Sequence, residues 1–325
     1  MRGKMALLFA ALVCMEALLS TAAFPLDYPT KPIELLVPYT AGSSLDILAR
    51  HIADIAPAYL PQPLVVVNKA GAGGSLAAAE IISANPDGYK LTTQGQMFFA
   101  TTVKTQKVPF NPDDLVPLAN FMEWRLGLIV REDSPFKTFD DLLAYTRKNP
   151  GQLKWSHLGR GIPPTIILLS VFKKAGVQTI DVPYKGNPEA LSALLGGHVD
   201  AASMGMAVVK EQARAGKIRY LVFYSDHRFS DAPNVPCLQE LGYTDAAKLV
   251  TYGGLYIHRK TPENIKAYLM DICKKIYDDP KFKKLPDIGG EDPRWGGPDF
   301  VRQKIKDAEE VGIPLLKELG LYTGK

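Results

Sequence analysis

The stretch Tyr28 to Arg50, YPTKPIELLVPYTAGSSLDILAR, sets an apolar strand, a loop of small residues and a helix start in direct succession. Ile33 to Val37 reads as the strand, and Pro38 stops it. Tyr39, Thr40, Ala41, Gly42, Ser43 and Ser44 form the loop. Leu45, Leu48, Ala49, Ile52 and Ile55/Ala56 then recur at helical spacing, which predicts a helix beginning near Ser44. The first turn of a helix leaves N–H groups unpaired and carries a partial positive charge, so small side chains there leave room for a carboxylate or a phosphate. The same residues fit a plainer role, the N-cap by Ser43 or Ser44. Asp46 suits the first turn as a carboxylate near the positive helix end, and is also placed to orient the loop or to meet an amino group.

Outward from this unit, strand-like and helix-like segments alternate, the pattern of an α/β fold with mostly parallel strands. Leu64 to Val67 reads as a strand, Lys69 to Gly74 as a glycine-rich turn and Ser75 to Ala84 as a helix. Asn85-Pro86-Asp87-Gly88 is a turn before a strand from Tyr89 to Thr93. The pattern restarts near Trp124, with a strand from Leu126 to Val130 and a helix from Thr138 to Arg147 capped by Thr138. Leu153 to Ser156 is the next strand, His157 to Pro164 a loop rich in glycine and proline, and Thr165 opens a helix through Lys174. Strands are expected at Ile180–Val182, His198–Ala202 and Lys217–Tyr224, with a helix from Pro188 to Leu195. The tail from Pro262 reads as helical and amphipathic, with Pro293 to Pro298 as a loop. Two loop-to-helix junctions in two α/β units favour a ligand held between domains, because open parallel sheets bind ligands beyond the carboxyl ends of their strands.

A chain of 325 residues with 46% hydrophobic and 22% charged residues has room for two domains with their own cores. At the N-terminus, Arg2 and Lys4 precede an apolar run ending at Thr21-Ala22-Ala23, which fits a secretory signal peptide cleaved after Ala23. Glu16 within that run argues against a stable membrane span, and Val13 is a poor neighbour for lipidation of Cys14. Removal of residues 1–23 leaves 36 basic against 33 acidic residues, a balance that calls for neither nucleic acid nor membrane binding. Cys237 and Cys273 then remain, more simply two separate buried thiols than a disulfide framework.

Enzymatic chemistry finds little support. His51, His157, His198, His227 and His258 lie far apart and show no metal-ligand spacing, and neither a G-x-S-x-G elbow nor a P-loop lysine occurs. Gly71, Gly73 and Gly74 follow a strand, but Leu76 stands where a dinucleotide fingerprint needs its third glycine, so no cofactor is expected. His157 and Arg160 on the second loop could pair with a carboxylate, though an exposed loop arginine is also an ordinary surface charge. Tyr39, Phe98, Phe99, Trp124, Trp155 and Tyr184 offer apolar walls or simply core.

The ordered set YPTKPIELLVPYTAGSSLDILAR, VVVNKAGAGGS, ANPDGYKL, VPYKGNPEALSALLGGHVDAA, GKIRYLVFYSDHR and APNVPCLQELGY resembles the solute-binding proteins of the tripartite tricarboxylate transporter family, or Bug-type receptors, from about Tyr28 to Leu321. The resemblance implies a non-enzymatic periplasmic receptor of the type II binding-protein fold, closing by a hinge on a small organic carboxylate and passing it to membrane subunits. It implies that one ligand carboxylate is held by Tyr39 to Ser44 and by Gly159 to Thr165, with Asp46, Tyr184-Lys185-Gly186 and Asp200 matching family motifs. The family usually carries a second glycine at Ser43, an arginine at Lys69, and a serine and a histidine near Ile162 and Thr165. Loss of a polar contact at Ile162 points to a ligand with an apolar or aromatic body and at least one carboxylate, with Arg160 and His157 as replacements.

The expected organisation is a signal peptide over 1–23, domain 1 over 24–124 and 226–325, and domain 2 over 125–225, with hinge strands at Trp124–Leu128 and Tyr220–Tyr224. The expected ligand-binding residues are Tyr39, Thr40, Ala41, Gly42, Ser43, Ser44, Asp46, Gln96, His157, Gly159, Arg160, Gly161, Thr165, Tyr184 and Ser203. The protein is expected to act as a monomer, without metal or cofactor. The rival functions are a receptor feeding a signalling partner and a periplasmic hydrolase using Ser43 or Ser44.

Overall fold

The computed structural model describes residues 27–286 and 290–324, so the signal-peptide expectation lies outside the described residues. The opening unit forms as its pattern predicts: β1 is Ile33–Val37 and α1 is Ser44–Ile55, with Leu45, Leu48, Ala49 and Ile52 buried along one face. β2 (Leu64–Asn68), α2 (Ser75–Ser83) and β3 (Lys90–Gly95) follow, then a short helix α3 (Gln96–Ala100). β4 (Leu115–Glu123) leads through Trp124 and Arg125 into β5 (Leu126–Arg131). α4 (Phe139–Lys148) carries a full capping box between Thr138 and Asp141. The second unit continues with β6 (Lys154–His157), α5 (Pro163–Ala175), β7 (Ile180–Pro183), α6 (Asn187–Leu195), β8 (Ala201–Gly205), α7 (Met206–Arg214) and β9 (Ile218–Phe223). The chain then returns through α8 (Thr244–Ala247), β10 (Tyr252–His258), α9 (Glu263–Asp278), β11 (Asp292–Gly296) and α10 (Pro298–Glu318).

These strands make two sheets, ordered β11-β4-β10-β3-β1-β2 and β7-β6-β8-β5-β9. The expectation of mostly parallel strands is corrected. β1 pairs in parallel with β2 and β3, and β6 with β7 and β8, but β10 runs antiparallel to β3 and β4, β11 to β4, and β5 to β8 and β9. The βαβ units show in the sequence as strand-helix alternation, and β5 and β9 show as strands, whereas β4 and β10 of the first sheet do not. β4 contains Pro117, which sits where the β10 pairing shifts register between Leu255 and Tyr256, a bulge that tolerates the missing N–H. β10 contains Gly254, where an added Cβ would lie 2.0 Å from the Ala119 carbonyl oxygen, so only glycine lets the strands meet. The expected loop at Pro293–Pro298 is largely strand β11, because Asp292 and Pro293 pair with Glu123 and Met122. Smaller shifts place β8 three residues later than expected and start α5 at Pro163, a favoured first helical residue.

Leu35, Leu48, Ile52, Phe121 and Ile272 pack together between the six-stranded sheet, α1 and α9. Leu128, Trp155, Ile166, Phe172 and Leu221 fill the space beside the five-stranded sheet, and Leu315 and Leu316 of α10 join that cluster, so the last helix touches both units. Cys237 and Cys273 are buried and unpaired. Among the described residues, no helix is long and apolar enough to cross a membrane.

Candidate functional site

The loop before α1 is shaped from within. Gly42 takes φ +82°, the Ser43 N–H donates to Thr40 O at 3.2 Å, and Ser43 caps the helix by accepting from the Asp46 N–H at 3.4 Å. Asp46 is buried with its carboxylate turned back on the loop. Oδ2 accepts from the Gly42 N–H at 2.9 Å and from Arg50 Nε at 3.0 Å, and Oδ1 accepts from Asn68 Nδ2 at 2.8 Å. Burial alone works to raise its pKa, but the bonds from Arg50, Gly42 and Asn68 outweigh it and hold the group below the ordinary aspartate range. Asn68, at the end of β2, also donates to Tyr39 O at 3.1 Å. The loop is thus clamped by its own bonds, and the backbone N–H groups of Ser44 and Leu45, at the head of a twelve-residue helix, take no partner among the described residues.

Ser43, Ser44 and Leu45 border a cavity of about 460 Å³ lying between the two sheets. From the six-stranded side, Tyr39, Gln94, Gly95, Met97, Phe98, Thr102 and Thr251 also reach it; Trp124 covers it at the crossover. Leu126, Leu158, Ile162, Pro163, Pro164 and Asn187 line it from the five-stranded side. Among the described residues, Gln94 Nε2 and Thr251 Oγ1 are buried without a hydrogen-bond partner. The glycine-rich turn assists from behind, since a Cβ on Gly74 would meet Gln94 Nε2 at 2.9 Å.

The two helix ends are not alike. At the head of α5, Pro163 and Pro164 have no N–H, and the Thr165 N–H is taken by Ile162 O at 3.1 Å. What this loop shows the cavity is apolar. His157 is buried, with Nε2 3.0 Å from Asp181 and Nδ1 accepting from the Gly159 N–H at 2.8 Å. Arg160 is exposed and clamps Asp181 with both Nε and Nη2, at 2.8 and 2.7 Å. That arginine, against the cost of burial, brings Asp181 down to about 2. His157 and Arg160 therefore stabilise the second loop from outside the cavity.

Of the expected site residues, Tyr39, Ser43 and Ser44 border the cavity, and Thr40, Ala41, Gly42 and Asp46 shape the loop that carries them. Gln96 does not border it: its amide donates to Val250 O and accepts from the Tyr252 N–H at 2.6 Å, fixing the start of β10. Thr165 is fully buried, its hydroxyl unpaired, and Ser203 donates to Pro164 O at 3.1 Å and pairs with the Tyr224 hydroxyl at 2.9 Å, behind the second loop. Tyr184 donates its N–H to His157 O at 2.8 Å, and Gly159 and Gly161 shape the same loop without lining the cavity. Four residues went unread in the sequence: Gln94, Thr251, Asn187 and Asn68. Asn187 directly follows Lys185-Gly186 at the start of α6, and Asn68 lies inside VVVNKAGAGGS, so both had a signal; Gln94 and Thr251 had none. Among the described residues neither serine bonds to a histidine: Ser43 caps α1, and Ser44 donates to Glu291 Oε1 at 2.7 Å.

A two-sheet α/β architecture with a cavity between the sheets is the one shared by the solute-binding receptors that this chain matches. A solute-binding protein from Polaromonas, solved without ligand, matches with a TM-score of 0.78 and 28% identity, over 90% of this chain and 99% of that one. A protein of R. palustris solved with adipate matches with a TM-score of 0.75 and 25% identity, over 90% of this chain and 99% of that one. MatC of Rhodopseudomonas palustris, solved with bound malate, matches with a TM-score of 0.68 and 26% identity, over 87% of this chain and 99% of that one. The profile of the tripartite tricarboxylate transporter family receptor matches residues 48–321, and the chain belongs to that family. The family and these neighbours are binding receptors rather than enzymes.

Proposed function

We propose that this protein is an extracytoplasmic receptor that captures a small carboxylate with an apolar body in the cavity between its sheets and delivers it to membrane subunits of a tripartite transporter. The observation that carries the reading is the pair of unpartnered N–H groups at Ser44 and Leu45, aligned with the positive end of α1 beside an otherwise largely apolar cavity. A carboxylate there accepts charge-assisted hydrogen bonds worth about 1.5–3 kcal/mol each. Gln94 and Thr251 add polar residues to the cavity wall on the six-stranded side, and Asn187 one on the five-stranded side. Leu158, Ile162 and the two prolines favour a hydrocarbon or aromatic body over a densely charged tricarboxylate. Adipate and malate in the neighbours' structures accord with a carboxylate ligand, and adipate alone with a hydrocarbon body.

In this reading residues 1–23 direct export and are removed after Ala23, and the mature chain works as a monomer. Domain 1 is 24–124 with 226–325, domain 2 is 125–225, and the crossovers at Trp124–Leu128 and Tyr220–Tyr224 act as the hinge. The test is to denature gently purified protein and identify the released small molecule by mass spectrometry. A carboxylic acid in near-stoichiometric amount is expected; a basic or uncharged molecule in its place contradicts the proposal.

A further inference from the structure

Glu291 lies just before β11, only 3% exposed, with its two carboxylate oxygens turned to different parts of the molecule. Oε1 accepts the Ser44 hydroxyl at 2.7 Å, at the head of α1, and Oε2 accepts the Arg125 N–H at 3.2 Å, on the crossover from β4 to β5. Its neighbour Gly290 takes φ +74° and packs on the start of α7, where a Cβ would lie 2.9 Å from Ala207 Cα. One short segment thus touches the cavity helix, the crossover and the five-stranded unit.

The charges around this carboxylate are few. The Arg125 guanidinium acts on it as a cation, but that group is ion-paired with Asp231 and lies 4.4 Å from the centre of the Phe229 ring. Tyr220 of β9 lies close enough to feel the charge of Glu291, and its buried hydroxyl has no partner among the described residues. Asp292 follows in the chain, and Lys210 of α7 donates to Pro286 O at 3.1 Å and lies near Asp231. Burial outweighs the bonds from Ser44 and Arg125 and pushes Glu291 up to about 7. Because the Ser44 hydroxyl proton is given to Glu291, the serine offers a ligand its N–H but not its O–H. An anion at that N–H has the Glu291 carboxylate one hydroxyl away.

We propose that Glu291 is a positioning residue for the ligand site, fixing Ser44 and linking occupation of the α1 head by a carboxylate to uptake of one proton from solvent at Glu291 itself. The proposal rests on the carboxylate reading and adds to it a coupled group. By linkage, an anion that raises the proton affinity of Glu291 binds more weakly as pH rises through about 7.

The test is calorimetric titration of hexanoate and adipate, both predominantly ionised over this range and corrected for their own titration, into refolded protein at pH 6 and pH 8, in two buffers of different ionisation enthalpy. The wild type is expected to bind about five- to tenfold more weakly at pH 8 than at pH 6, and to take up protons on binding near neutrality. Glu291→Gln keeps an acceptor for Ser44 and is expected to bind equally at both pH values without that uptake. Buffer-independent heats and equal affinities in the wild type overturn the proposal without any variant. A pH slope that survives in Glu291→Gln overturns it as well. If neither protein binds either acid, the carboxylate reading falls, and the proposal falls with it.

Discussion

Asp46, buried, and Asp181, half-buried, show what a clamped carboxylate does on each side of the cavity. Asp46 gathers Gly42, Arg50 and Asn68, so its charge organises the loop that carries Ser43 and Ser44. Asp46→Asn removes the acceptor for at least one of these donors and is expected to cost about 1–3 kcal/mol in urea unfolding at neutral pH, with weaker ligand binding. Asp181 does the same for the second loop through Arg160 and His157. Its folded-state pKa, about 2, lies below the unfolded value, so its contribution is present above about pH 4 and is lost as pH falls toward 2. The expected penalty of Asp181→Asn, about 1–2 kcal/mol at pH 7 after allowing for partial exposure, therefore shrinks toward zero in unfolding measured near pH 2. Asp46 was visible in the sequence as a first-turn acid, whereas Asp181 was not, because its partners lie more than twenty residues away and meet it only across β6 and β7.

At the scale of elements, the head of α1 and the head of α5 divide the work. α1 offers free N–H donors; α5 begins with two prolines and offers none. Ile162→Ala is expected to weaken binding of an apolar-bodied acid by about 1–2 kcal/mol, roughly five- to thirtyfold, while the melting temperature without ligand changes little. An unchanged affinity would mean that the apolar wall does not touch the ligand. The α1 unit was legible because strand, loop and helix follow one another within Tyr28–Arg50 and each carries its own local signal. β4 and β10 were not, since Pro117 and the Gly253-Gly254 pair read as breaks and become strand only through a bulge and a close backbone approach supplied by the partner strand. The cavity groups Gln94 and Thr251 were hidden for the same reason: they lie at the end of β3 and just before β10, which become neighbours only when the sheet forms.

At the scale of the molecule, buried acids gather where the two sheets join. Glu123 ends β4, fully buried, with neither carboxylate oxygen bonded among the described residues, and burial pushes it up to about 8. Asp226 and His227, which follow β9, lie beside it, their pair held at 2.8 Å. Folding here favours the protonated carboxyl, so the unfolded chain binds fewer protons and stability falls as pH rises from about 4.5 to about 8. Glu123→Gln is expected to flatten that slope and to gain roughly 2 kcal/mol over the wild type at pH 8, seen in unfolding across this range. A slope unchanged by the substitution would assign the effect to Glu291 or Asp292, which burial also raises. The central claim concerns the cavity between the sheets, and the most direct measurement compares an acid with its own amide. The melting temperature of refolded protein is followed with hexanoate, adipate, benzoate and citrate, and with the amides of the first three. The account predicts a rise of several degrees for at least one apolar-bodied acid at about 100 times its dissociation constant, and none for its amide. Equal shifts for acid and amide, or a response confined to citrate, would contradict it.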